Sequence, residues 1–457
     1  MTVDGFGGFP ALRARVQAEM MRRLPDHIDR LGWDAARIAA RQRDGLRALL
    51  RHARDASPFH ARRLAGVDPE RFELADLRQL PTMTKADLMG EFDDVLADRR
   101  LSRVLCERAL AATHDEPRPL FGEYVCLASG GSSGMRGVFV LDADALVEFF
   151  CSLNRPTMQR LLAAGGPPPG GLGIAMVAAA SAVHATGCAP AWTVGFATPI
   201  VAVPATLPLE AIVAQLEKLA APVLYGYPSV LVRLAREKAA GRLRIAPLAV
   251  TSTSETLLPE WRAEIEQAFG VAISNTFGSS EGLAGVSPPG EEAIVFNDDV
   301  CIVELVDADD RPVPPGTPSE KILVTNLANR IQPLIRYEIT DRFLRHPDAA
   351  DHGHLRATVE GRSDDVLRWG ATEVHPLAVR AVLVKQPAVT DYQVRQTGRG
   401  LELLCLAEDG FAPGPLAAAL RAALADAGLP GAEVDVRRVD ALERHPETGK
   451  VRRFVRL

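Results

Sequence analysis

Residues 222–281 read PVLYGYPSVLVRLAREKAAGRLRIAPLAVTSTSETLLPEWRAEIEQAFGVAISNTFGSSE, with short apolar runs alternating with amphipathic ones at the spacing of strand–helix–strand units. The runs at 222–227, 245–251 and 271–277 predict strands, and 228–240 and 259–269 predict the helices between them. Pro228 and Pro259 stand where a helix's first turn tolerates a missing N–H, and Gly241 and Gly270 stand where helices stop. A parallel, helix-covered sheet follows. Such sheets bind ligands outside the carboxyl ends of their strands. Here those ends carry Gly226-Tyr227, Thr253-Ser254-Glu255 and Gly278-Ser279-Ser280-Glu281, so chemistry is expected along that edge.

Upstream, Ile38, Leu46, Leu49 and Leu50 share one face of a helix expected over 33–53. The run LPTMTK at 80–85 reads as a turn into another helix with Thr84 as its N-cap. The loop GGPPPGGLG at 165–173 leads into an apolar run at 174–180 that predicts a buried strand. Downstream of Arg362 the pattern changes to a short helix at 376–385, strands at 391–396 and 401–407, a helix at 415–427 and a strand at 433–439. The expected class is therefore α/β, with a large domain of helix-covered sheets over 1–362 and a small α+β domain over 363–457.

At 457 residues the chain exceeds one ordinary core. Its 52 basic and 58 acidic residues give a net charge of -6 with no long run of one sign, which argues against nucleic acid or an anionic membrane as partner. Residues 1–10, MTVDGFGGFP, lack the features of a secretory signal, and no run of about 18 apolar residues suggests a membrane span, so the cytoplasm is the expected compartment. Cys106, Cys126, Cys151, Cys188, Cys301 and Cys405 form no CxxC pair and are expected as reduced, mostly buried thiols. His184 and Cys188 share a helical spacing, but structural zinc needs four ligands and no second pair completes a site.

The segment YVCLASGGSSGMRGVFV, 124–140, sets a Ser/Gly loop between two apolar strand-like runs. Glycines let backbone N–H groups approach an anion and serines add donors, so the loop either cradles a polyphosphate or simply turns a hairpin. The GxxxxGK[ST] pattern is absent, which excludes the nucleoside-triphosphatase type of phosphate loop.

The run Ser129–Gly137 resembles the Ser/Thr/Gly phosphate loop of adenylate-forming enzymes, and the chain as a whole is most similar to phenylacetate-CoA ligase and its relatives within that superfamily. The segment 46–88 and YGYPSVLVRLARE from Tyr225 resemble, in turn, the N-terminal region and the acyl-site strand and helix of that group. The resemblance places Ser129, Gly131, Ser132, Ser133, Gly134 and Arg136 at the phosphates. TSTSETLLPEWRAEIEQAFG from Thr251 is similar to the adenine-side loop, which implies nucleotide contacts for Ser254 and Glu255. NTFGSSEG is similar to the aromatic-Gly-x-Thr-Glu motif: Asn275, Thr276, Phe277 and Gly278 would lie on the nucleotide, Ser280 near the phosphates, and Glu281 would hold magnesium. A loop glutamate beside phosphates makes physical sense with a cation between them.

In the same way PLIRYEITDR resembles the ribose motif, with Asp341 accepting from the ribose hydroxyls, and VEGRSDDVLRWG resembles the domain hinge, with Arg362 on the nucleotide and Asp364 as pivot. HPETGKVRR resembles the C-terminal loop whose lysine, here Lys450, completes the adenylation site. Two departures stand out: Met135-Arg136 where many relatives have Lys-Pro, and Ser280 in place of threonine; arginine keeps the charge and serine the hydroxyl. Residues 281–299 contain no cysteine, so the zinc cluster of some relatives is not expected.

The resemblance implies ATP, magnesium and CoA as substrates and cofactor, a mobile small domain and a homodimer. The resemblance implies a small acid of aryl or arylacetic type, with His184, Tyr225, Gly226 and Tyr227 near its pocket; His184 either bonds a substituent or packs as a satisfied core histidine. A carrier protein or an amine is the alternative acceptor, and a catalytically inactive nucleotide-binding relative is the alternative of another class.

Overall fold

The computed structural model describes residues 8–129, 136–166, 171–179, 181–196, 198–362, 365–383, 385–386, 388–445 and 449–457. The chain divides into two compact units, 1–360 and 361–457. Among the described residues the larger unit is built on a sheet of nine strands. Its parallel half runs, in spatial order, Ile200–Pro204, Ile174–Ala178, Val223–Gly226, Ala249–Thr253 and Ile273–Gly278. Antiparallel pairings extend it to Ala284–Val286, Ile294–Phe296 and Arg356–Arg362, and it ends on Asp341–Arg345.

The helices between the parallel strands begin and end where local chemistry directs. Pro228–Ala239 and Pro259–Phe269 each start on proline, and the second ends on Gly270 at φ 70, whose N–H reaches Glu266 O. The strand expected over 245–251 is displaced to Ala249–Thr253. Pro247 has no N–H for the ladder, and pairing begins only where Ala249 meets Val223, with Leu248 N donating to Pro222 O. The carboxyl end of that strand therefore falls at Thr253, directly before Ser254.

In the N-terminal region, Asp34 caps the helix Ala35–Ala56, and Thr84 caps Lys85–Gly90 reciprocally with Asp87. The first helix, Phe9–Arg30, packs on Ala143–Ala163, the helix that follows the hairpin of Val125–Ala128 and Val138–Leu141. Between them lies a buried ionic network in which Arg155 clamps both oxygens of Asp299 at 2.9 and 2.7 Å. Asp298, Asp299 and His354 are grouped as a cation would need. Arg155 and Arg30 already supply the positive charge to Asp299, which makes this a structural ion cluster.

The smaller unit is α+β. Its four-stranded sheet has the order Glu433–Arg438, Gly400–Ala407, Val389–Thr397 and Phe454–Val455, antiparallel at the central pair and parallel at both flanks. Helices Pro376–Leu383 and Pro413–Asp426 accompany it. A small hairpin, Leu367–Trp369 with Thr372–Val374, turns at Gly370, φ 61; its short strands carry too little periodicity to be seen in the sequence. All six cysteines are free and buried. No helix among the described residues is long and apolar enough to cross a membrane.

Candidate active site

Strand Ile174–Ala178 has its sequence successor, Ile200–Pro204, on one side and Val223–Gly226 on the other. The order of the parallel strands thus reverses here, the kind of point at which such sheets hold ligands outside their carboxyl ends. Two of the residues expected at the acyl pocket stand at these strand ends. The Tyr227 hydroxyl accepts the Ala179 N–H at 2.9 Å, joining the two strand ends. The Tyr225 hydroxyl lies against those of Thr253 and Thr276, and burial pushes its pKa up. Gly226 keeps the backbones close, since a Cβ there would stand 3.0 Å from Val177 O.

His184 is buried, with Nδ1 3.0 Å from Ala128 O. A carbonyl can only accept, so in the neutral ring the proton sits on Nδ1 and Nε2 is an acceptor. The backbone bond from Ala128 N to Val183 O, 2.7 Å, ties the same loop to the strand that leads into Ser129. Thr186, two residues on, meets the Ser254 hydroxyl at 3.1 Å. Ser254 adopts φ 64, a left-handed conformation that is strained for a non-glycine and typical of functional sites.

Gly187 seals this corner. A Cβ at position 187 would lie 2.0 Å from Ser181 O. Gly187→Ala is expected to cost about 1–3 kcal/mol by overpacking and to separate Thr186 from Ser254. Thermal denaturation measures the first effect, and an unchanged melting temperature would refute the packing argument.

Ser129 closes the neck of the Ser/Gly loop: its N–H reaches Gly137 O at 3.0 Å and its Oγ accepts the Gly137 N–H at 2.9 Å. Arg136 is exposed, 3.8 Å from Glu107. Gly131, Ser132, Ser133 and Gly134 lie outside the described residues, as does Asp364. Glu255 uses one carboxylate oxygen to accept the Ser229 N–H at 3.2 Å, at the N-terminus of Pro228–Ala239, where helix N–H groups otherwise lack partners.

Asn275 is buried, its Oδ1 accepting from Ser252 Oγ at 2.8 Å and its N–H donating to Ser287 Oγ at 2.9 Å. Thr276 is buried beside it. Phe277 packs edge-on against Phe296 and Phe343, 5.9 and 5.2 Å between ring centroids. Phe343 lies two residues beyond Asp341, so this aromatic cluster joins the two motifs. Gly278 is exposed and Ser280 half-buried at the start of a tight turn completed by Gly282, φ 100, whose N–H returns to Ser279 O.

Glu281 is enclosed, only 8% exposed. Burial pushes its carboxyl above the ordinary range, the Asp341 charge adds to that, and the Lys85 charge and the Ser279 hydroxyl pull the other way. Lys85 is the residue that motif reading passes over. It is delivered by a long-range pairing: Met83 N donates to Arg336 O at 3.0 Å and Glu338 N to Met83 O at 2.8 Å, so the chain just before Lys85 is held against the strand Tyr337–Ile339. Asn326 and Asn329 were equally invisible. Asn326 Nδ2 holds Glu281 O at 2.8 Å, and Asn329 Nδ2 and Gln332 reach the hairpin at Val140 and Val138. The segment 326–337 thereby ties the hairpin, the glutamate turn and the strand Tyr337–Ile339 into one frame.

In the smaller unit, Arg362 ends the strand Arg356–Arg362 and is half-buried. Beside Lys450, His445 N donates to Lys450 O and Gly449 N to His445 O, each 2.8 Å, with Gly449 at φ 71.

This architecture is similar to that of a 2-hydroxyisobutyryl-CoA ligase in the postadenylation state in complex with R3-HIB-AMP: TM-score 0.69 at 18% identity, covering 93% of this chain and 91% of that one. An amide bond synthetase from Marinactinospora thermotolerans also matches, with TM-score 0.51 at 18% identity over 72% of this chain and 67% of that one. The fold is that of the adenylate-forming CoA ligases. In sequence the chain is similar to the phenylacetate-coenzyme A ligase of Thermus thermophilus, 26% identical over 383 residues, 78% of each protein. No family model matches the chain.

Proposed function

We propose that the protein activates a small carboxylic acid with ATP, forming an acyl-adenylate and pyrophosphate, and then passes the acyl group to CoA with release of AMP. What carries this reading is the convergence of Glu281, Asp341 and Lys85 at the carboxyl edge of the sheet, in a chain similar over 78% of its length to phenylacetate-CoA ligase. An aryl or arylacetic acid is the expected substrate class. Residues 1–362 would bind and adenylate, and 363–457 would turn about Asp364 between the two half-reactions.

A carboxylate acylates poorly because oxide is a poor leaving group; attack on the α-phosphorus of ATP replaces it with AMP. Two anions must therefore be brought together and the charge growing on the phosphates offset. Ser129, the Ser/Gly loop and Arg136 would hold the phosphates, Asp341 and Arg362 the nucleoside end, and Phe277 the adenine. The oxygen donors around Glu281 fit a hard divalent cation that keeps water and phosphate ligands. Magnesium bound there would withdraw charge from the phosphate oxygens. Lys85 and Lys450 would add positive charge, from the large and small units respectively. Similar folds serve different acceptors, as the amide bond synthetase illustrates, so the acceptor rests on the sequence similarity to a CoA ligase.

The test is pyrophosphate release from ATP and magnesium with a panel of aryl and aliphatic acids, with and without CoA. Acid-dependent release is expected, with AMP and thioester appearing when CoA is present, and Lys450→Ala is expected to slow the adenylation step about 100-fold. Release without a thioester would reassign the acceptor to a carrier thiol or an amine. ATP binding without release for any acid would point to an inactive relative.

A further inference from the structure

Tyr337 is wholly enclosed, and its hydroxyl oxygen meets no hydrogen-bond partner among the described residues. Nor can the ring escape. Its backbone is paired with Val324 on one side and bridged to Met83 on the other, and its face is met edge-on by Phe139, 6.2 Å between centroids. A buried polar atom without a partner costs free energy, and in a native site that points to a partner that arrives from outside.

The surroundings identify the partner's chemistry. The Tyr337 hydroxyl lies in the field of the Glu281 carboxylate, which the Lys85 and Asp341 charges also reach. The Ser279 hydroxyl lies against the same carboxylate and helps to hold its charge. Tyr337 thus sets an orphaned hydroxyl beside an enclosed carboxylate at the end of the site assigned to the phosphates. Val324, the pairing partner of Tyr337, is two residues from Asn326, which holds the Glu281 backbone, so phenol and carboxylate are set by one rigid strand.

We propose that Tyr337 is a positioning residue for the metal–triphosphate group: its hydroxyl donates to an oxygen, of phosphate or of metal-bound water, that enters the site with magnesium–ATP. This rests on the adenylation reading above. The phenol is suited to the task because a neutral donor beside a carboxylate can anchor such an oxygen without competing for the cation. It also accounts for a tyrosine at a position where phenylalanine would fill the same space with no orphaned atom.

The experiment is isothermal calorimetry of the full chain with magnesium–ATP and with adenosine, for wild type and Tyr337→Phe, alongside melting temperatures without ligand. The variant is expected to bind magnesium–ATP roughly tenfold more weakly, to bind adenosine as wild type does, and to melt no lower than wild type. An affinity for magnesium–ATP within twofold of wild type overturns the proposal, as does an equal loss for adenosine, which would mark a general structural role. Absence of magnesium–ATP binding by the wild type would instead sink the adenylation reading itself.

Discussion

Glu281→Gln is expected to reduce acid-dependent pyrophosphate release by about 10²–10³-fold, while the ligand-free protein becomes more stable at neutral pH. The two effects share one cause. Burial raises the Glu281 carboxyl above its ordinary value of 4.5, with Asp341 adding to the rise and Lys85 and Ser279 offsetting part of it. The folded state therefore holds this proton more tightly than the unfolded chain. By linkage, stability falls as pH rises from the unfolded value through the raised folded one. Glutamine cannot lose a proton, so the variant lacks that slope. Melting curves between pH 4.5 and 8 without ligand measure it, and the phosphate-release assay measures the activity. An active variant would remove Glu281 from the chemistry. A variant that melts lower at pH 7 would contradict the electrostatic account.

Arg155→Leu is expected to destabilise the protein by about 3–5 kcal/mol, because it strands a buried carboxylate. Arg155 is 2% and Asp299 0% exposed. Burial alone would raise the Asp299 carboxyl, but the Arg155 charge and hydrogen bonds, helped by His354 and Arg30, hold it well below the usual range. The sign is opposite to that of Glu281: this stabilisation is present above the unfolded value of 3.8 and is lost as pH falls toward the depressed folded one. The double variant Arg155→Leu with Asp299→Leu should recover much of the loss, since an apolar pair of similar volume does not pay for desolvated charge. Urea denaturation of the wild type, the single and the double variant checks this. Equal losses in single and double variants would show that helix packing, and not the ion pair, sets the cost.

The most legible parts of the fold were those with strong local punctuation. Proline at the first turn and a left-handed glycine at the end placed Pro259–Phe269 correctly from residue pattern alone. The strand ahead of it was misplaced because the apolar run at 245–248 resembles a strand, while Pro247 and the acceptor at Pro222 decide where pairing starts. The N-terminal helix Phe9–Arg30, with Pro25 inside it, announced itself weakly, since its stability comes from packing against Ala143–Ala163.

What the sequence determined by itself was the alternation of elements, the set of polar loops at strand ends, and the order of motifs that carry the resemblance to adenylate-forming enzymes. Those features are local, written in turn chemistry and hydrophobic period within a few tens of residues. Only the tertiary structure decided which side chains share a site. Lys85 reaches Glu281 through a bridge between Met83 and Tyr337, and the Tyr337 hydroxyl is orphaned beside that carboxylate by pairing with a strand of its own. Contacts across more than 200 residues depend on register and burial, which no local pattern encodes, and the charge on Glu281 depends on how completely those contacts exclude water.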